Sequence, residues 1–108
     1  MAERIPDEAV VIRGGRNSPA DVLRGTGTHP SGVTGVSVEC AENVLVEDLA
    51  AALPHNQIGV TTVGDIRAAG GDVVRTGGHS SHHATLVGLS PEKASRLLTP
   101  TRHNPTKQ

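Results

Sequence analysis

Residues 77–100 read GGHSSHHATLVGLSPEKASRLLTP, and the fold turns on how this stretch is parsed. Gly77-Gly78 marks a turn, HHATLVG is a strand bounded by glycine, and Ser90-Pro91-Glu92 opens a helix that Leu97 and Leu98 anchor before Pro100. Successive side chains of a strand alternate between faces, so His83 and Thr85 point one way with Val87 while His82, Ala84 and Leu86 point the other. A strand with a His-x-Thr face and an apolar face, followed at once by a helix, belongs to a layered α and β architecture.

The remainder of the chain repeats that alternation. AVVIR, residues 9–13, is a short β-branched strand closed by Gly14-Gly15, with Arg13 emerging at its end beside free backbone N–H groups. Ser18, Pro19, Asp21 and Gly25 have the types and spacing of a short capped helix. Residues 25–35 are a glycine-punctuated loop carrying His29 and Ser31. In VSVEC, residues 36–40, Val36, Val38 and Cys40 form the apolar face, and Ser37 and Glu39 the other.

VLVEDLAAALP gives a helix ending before Pro54, with Leu45, Leu49 and Leu53 at four-residue spacing. QIGV is a third strand, Thr61 or Thr62 caps a helix that Gly70-Gly71 stops, and DVVRT is a fourth strand. The expectation is an α+β fold: a single mixed sheet of about five short strands with three or four short helices. Residues 1–100 form one globular domain, and the polar tail 101–108 is loosely ordered.

Composition excludes several classes. The chain has 108 residues and a net charge of -1, so any polyanion site must be a local patch. It holds no Phe, Tyr or Trp, and therefore lacks the platforms on which general single-strand binders stack bases. One cysteine excludes an intramolecular disulfide and points to a reducing, cytoplasmic setting. No run suits a membrane span, and the N-terminus lacks a signal-peptide core.

Four groups of residues bear chemistry. On one strand face, His83 and Thr85 can hold a phosphate, the imidazole serving as general acid or base and the hydroxyl as donor. Arg13 offers a guanidinium fork. His29 or His55 is the candidate second imidazole; His55 also sits at a helix end, where a cation complements the dipole. His79, His82 and His83 have a spacing that zinc accepts, but adjacent strand residues diverge and no cysteine or HExxH helix joins them, so no metal is expected. Cys40 lies on an apolar face, where a thiol is packing rather than nucleophile.

Two family resemblances attach to these residues. HATL resembles one half of the paired His-x-Thr/Ser pattern of the 2H phosphoesterases, with His29-Pro30-Ser31 as the candidate second half. Arg13 is similar in position to the first motif of the ADP-ribosyltransferase fold, with Ser37 standing for that fold's second-strand serine. The third motif, Glu-x-Glu or Gln-x-Glu, has no counterpart near the C-terminus, where Glu92 starts a helix.

The leading expectation is a small, metal-independent enzyme that cleaves RNA phosphodiesters, a toxin-like ribonuclease. His83 pairs with His55 or His29, and Arg13 and Thr85 stabilise the phosphate; the partner is RNA or another phosphate-bearing substrate, with no cofactor and no membrane. The alternatives are an NAD-using ADP-ribosyltransferase-like enzyme with Arg13 and Ser37 in its cleft, and a non-enzymatic module such as an antitoxin, immunity protein or phage-encoded inhibitor. Ribonuclease chemistry requires two imidazoles near one phosphate. The transferase requires an acidic residue facing Ser37 and Arg13.

Overall fold

The computed structural model describes residues 4–77 and 80–107. Along the chain run β1 (Val10–Gly14), α1 (Pro19–Gly25), β2 (Thr26–Thr28), β3 (Thr34–Ala41), α2 (Val46–Ala50), β4 (Gln57–Thr62), α3 (Val63–Ala68), β5 (Asp72–Arg75), β6 (His83–Val87), α4 (Pro91–Leu98) and β7 (Arg102–His103). The class is α+β as expected, with seven strands and four helices among the described residues. Strands lie in the order β5-β6-β3-β1-β4-β7, and β2 pairs with β3 outside this path.

The sheet is antiparallel throughout rather than mixed. Alternating strands and helices suggested parallel crossovers, but here the helices link antiparallel strands that interleave in space. The added strands are β2 and β7. The first lies inside the stretch expected to be a loop, and the second inside the tail expected to be loose. Both are short and polar, and each owes its existence to a longer neighbour that supplies hydrogen-bond partners.

Helix starts follow their capping residues. Ser18 and Ser90 accept from the N–H groups of Asp21 and Lys93, each at 3.2 Å, and each is followed by a proline at the first helical position. Thr62 caps α3 through the Asp65 N–H at 3.2 Å. Of the leucines spaced through residues 45–53, Leu49 is buried while Leu45 is exposed, because α2 begins only at Val46 and leaves Leu45 outside the helix as its cap.

Two cores flank the sheet. Val11, Val36, Val38, Cys40, Val73, Ala84 and Leu86 pack on one face with Val22 of α1, Val63 and Ile66 of α3 and Ala94 of α4. Ile12, Ala41 and Ile58 pack on the other with Leu49 and Ala50 of α2. Since paired residues of antiparallel strands share a face, Glu39 lies beside Ile12 and His83, and Ser37 beside Thr85. Helix α2 therefore covers the β1 and β4 part of this second face, and its β3 and β6 part carries Ser37, Glu39, His83 and Thr85. Among the described residues no helix is long and apolar enough to cross a membrane.

Candidate active site

One edge of β3 is shared between two partners. Strand β1 pairs with it at Glu39–Ala41, and β2 at Thr34–Val36, which leaves Ser37 and Val38 between the two. Strand β1 departs after Ile12, so the ends of β1 and β2 splay apart and the sheet opens. Residues that alternation would send to opposite faces meet at that opening. Arg13 belongs to the face of Val11 and Val38, yet it lines one pocket of about 280 Å³ with Ser37, Glu39, His55 and His83.

Two further pockets share parts of that lining. A wider recess of about 610 Å³, bordered by Arg16, Asp21 and Arg24, shares Arg13, Gly14 and His55 with it. A slot of about 140 Å³, lined by His29, Thr85, Gly25 at the end of α1 and Gly27, Thr28 and Gly35 of the β2–β3 hairpin, shares Ser37 with it. All five residues singled out from the sequence, Arg13, His29, His55, His83 and Thr85, line this groove of adjacent pockets.

Arg13 is held in place rather than emerging freely. Its Nη1 donates to Asn17 Oδ1 at 2.7 Å, while Asn17 Nδ2 donates back to the carbonyls of Arg13 at 3.0 Å and Gly15 at 3.2 Å. Asn17 is fully buried and takes a left-handed φ of 58°, a conformation asparagine tolerates better than most residues. Ser95 of α4 fastens it further by donating to its carbonyl at 2.6 Å. Desolvation by burial pushes the Arg13 guanidinium below its ordinary pKa, and Asp21 pulls it partly back. The expected free N–H groups of Gly14-Gly15 are corrected for Gly15, whose N–H donates to Gln57 O at 2.8 Å because β1 runs one residue longer on its β4 side.

Two glycines make room for candidate side chains. A methyl group at Gly14 would run into the His55 ring, and one at Gly25 into the Arg13 guanidinium. Each side chain therefore lies directly on the backbone of another element. The His55 backbone is fixed in turn by Asn104, whose Nδ2 donates to His55 O at 2.9 Å.

His83 and Thr85 share a face, as alternation requires, but Thr85 is buried and its hydroxyl lies 3.1 Å from Thr76 Oγ1. Thr76 Oγ1 also lies 2.8 Å from His83 Nδ1. The His29 ring stacks on that of His83 with centroids 5.6 Å apart. His29-Pro30-Ser31 sits in the β2–β3 turn, closed by bonds from His29 N to Val33 O and from Gly32 N to His29 O, both 2.8 Å. A proline-containing turn is not the second strand that the 2H phosphoesterase pattern asks for, so the structure brings the imidazoles together without the paired-strand geometry.

Glu39 is the site residue that sequence reasoning passed over. It is 7% exposed, borders the pocket, and its Oε1 has no hydrogen-bond partner among the described residues. The signal was its place beside Ser37 on the polar face of VSVEC. Of the remaining candidates, Cys40 is fully buried in the larger core and is absent from the groove walls. His79 lies outside the described residues, and among those described no three His, Cys, Asp or Glu residues cluster to hold a metal ion. Compared with family models, curated proteins and solved structures, the chain matches none.

Proposed function

We propose that the groove binds an elongated nucleotide and that the chain is a small NAD-using, ADP-ribosyltransferase-like enzyme. The observation that supports this reading above the ribonuclease one is the buried Glu39 carboxylate in the same pocket as Arg13 and Ser37. Its sign matters. At an effective dielectric of about 20, two unit charges about 4 Å apart interact by roughly 4 kcal/mol, which is about a thousandfold in an equilibrium or a rate. A carboxylate there opposes a phosphodiester anion at the reacting position by that order and favours a centre where positive charge develops.

Cleavage of a nicotinamide N-glycoside is such a centre. The C1′–N bond breaks with its electron pair leaving on nicotinamide, and the ribosyl carbon gains oxocarbenium character that a carboxylate stabilises. An acceptor oxygen or nitrogen, or water, then bonds to C1′ and passes its proton to an imidazole. NAD is consumed as substrate, so no resident cofactor enters. The diphosphate fits the other end, where Arg13, Arg16 and Arg24 border the wide recess and Asp21, which pairs with Arg24, is the one carboxylate among the described residues lining it. Partial desolvation of Arg13 makes an anionic partner there worth more than at an open surface.

The second reading keeps a specific observation. His55 and His83 border one pocket with Arg13, which is what RNA cleavage by paired acid and base requires. A non-enzymatic module is supported less: the large apolar side chains exposed among the described residues, Leu23 and Leu45, belong to segments on opposite faces of the sheet. The single cysteine keeps a cytoplasmic setting as part of the proposal.

The test is turnover of NAD and of short RNA in parallel. Nicotinamide release that falls about a hundredfold or more in Glu39→Gln, with RNA intact, is the expected result. RNA cleavage with a bell-shaped pH profile, a loss of roughly 10²–10⁴-fold in His83→Ala and untouched NAD would install the ribonuclease reading instead. Inertness toward both would favour the interaction module.

A further inference from the structure

The loop residue Thr76 follows β5 and places its hydroxyl between His83 Nδ1 at 2.8 Å and Thr85 Oγ1 at 3.1 Å. A threonine hydroxyl has one proton and two lone pairs, so this three-member chain has three possible arrangements. In the first, Thr85 donates to Thr76 and Thr76 donates to Nδ1; every proton in the chain then has an acceptor. In the second, Nδ1–H donates to Thr76 and Thr76 donates to Thr85, which leaves the proton of Thr85 to find a new acceptor. In the third, Nδ1–H and Thr85 both donate to Thr76, whose own proton then has no acceptor among the described residues. Thr85 is 3% exposed, and among the described residues its hydroxyl meets only that of Thr76. A buried hydroxyl without an acceptor is the costlier arrangement.

We infer that Thr76, supported by Thr85, is a positioning residue that holds neutral His83 as the tautomer with its proton on Nε2. Nδ1 is turned into the Thr76–Thr85 chain, so Nε2–H is the end of the ring left to serve the groove that Glu39, Ser37 and Arg13 share with it. His83 is thereby a hydrogen-bond donor toward the bound molecule, and it accepts a proton at Nε2 only if Thr76 ceases to donate to Nδ1. The ring is further restrained by the stacked His29, which limits rotation that would exchange the two nitrogens. The catalytic consequence rests on the proposed reading, in which His83 meets substrate; the tautomer itself does not.

The experiment is an imidazole ¹⁵N–¹H correlation spectrum of the full chain at about pH 8.5, two units above the ordinary imidazole midpoint of about 6.5. His83 should show an unprotonated Nδ1 and a protonated Nε2. In Thr76→Val the two nitrogen shifts should move toward one another as the tautomers mix, and in Thr76→Ser they should return. Turnover should fall about 10- to 100-fold in Thr76→Val, the usual effect of losing a partner that orients a functional histidine, and recover in Thr76→Ser. A protonated Nδ1 in the unaltered protein would overturn the inference even if Thr76→Val failed to fold. So would a tautomer ratio that Thr76→Val leaves unchanged. A fixed Nε2–H tautomer released by Thr76→Val, in a protein that turns over neither NAD nor RNA, would uphold the tautomer and remove the enzyme reading.

Discussion

At the scale of single residues, Glu39 carries the most information. Burying a polar atom without a partner costs roughly 1–3 kcal/mol, more for a charge, so Glu39 is a stability cost for which the proposed function gives a reason. Glu39→Gln replaces the charge with a neutral amide of the same shape. The variant should melt at or above the temperature of the unaltered protein while losing turnover, and a large drop in melting temperature would mean that the carboxylate has a structural partner. His83, Thr85 and Arg13 were legible because a two-residue period and a strand end are local properties. Glu39 was legible as polar but not as central, because its neighbours depend on the register of β3 against β1 and β6, and no local pattern encodes that pairing.

The elements explain why the residues meet. Strands rich in valine and isoleucine could be read directly, since β-branched runs bounded by glycine have few other solutions. Strand β2, with the sequence TGT, had no such signal; it is a strand because the edge of β3 beyond the last β1 pair is open. The glycines at the opening read as turns, whereas Gly14 and Gly25 are spaces for other side chains. Gly14→Ala should leave the fold intact, since the His55 ring can swing away, and should lower turnover. Unchanged turnover would remove His55 from the site.

On the far side, Arg67 of α3 binds both Asp7 and Asp72. Desolvation acts to raise the Asp72 pKa, but the Val73 N–H at 2.8 Å and the Arg67 Nε–H at 2.9 Å outweigh it and hold the carboxyl below its ordinary value. A carboxylate whose folded pKa is depressed stabilises above its unfolded value of about 3.9 and loses that contribution as pH falls through the folded one. Urea midpoints should therefore fall more steeply below about pH 4 in the unaltered protein than in Asp72→Asn; equal slopes would contradict the pairing.

At the scale of the whole molecule, the chain closes on itself through its last residues. The polar composition of residues 101–108 gave no hint of this. Yet Asn104 is fully buried, and its side-chain amide donates to the carbonyls of Ala50, Leu53 and His55 at 3.3, 3.4 and 2.9 Å. A polar residue so placed can be recognised only once the end of α2 and the start of β4 are known to converge on it. Asn104→Ala should cost about 1–3 kcal/mol in a denaturant titration, because one buried and two part-buried carbonyls lose a donor, and it should weaken turnover by loosening His55. No loss of stability would show that the tail contributes nothing to the fold.

The central claim is that function resides where the sheet opens between the end of β1 and the Ser37–Val38 edge of β3. Backbone amide chemical shifts, followed while NAD is titrated into the full chain, test it most directly. The largest changes should fall on Arg13, Gly14, Ser37, Val38 and Glu39, and should shrink when Arg13 is replaced by alanine. Saturable binding that moves amides elsewhere, or the absence of any change with NAD while a short RNA shifts those same amides, would contradict the account.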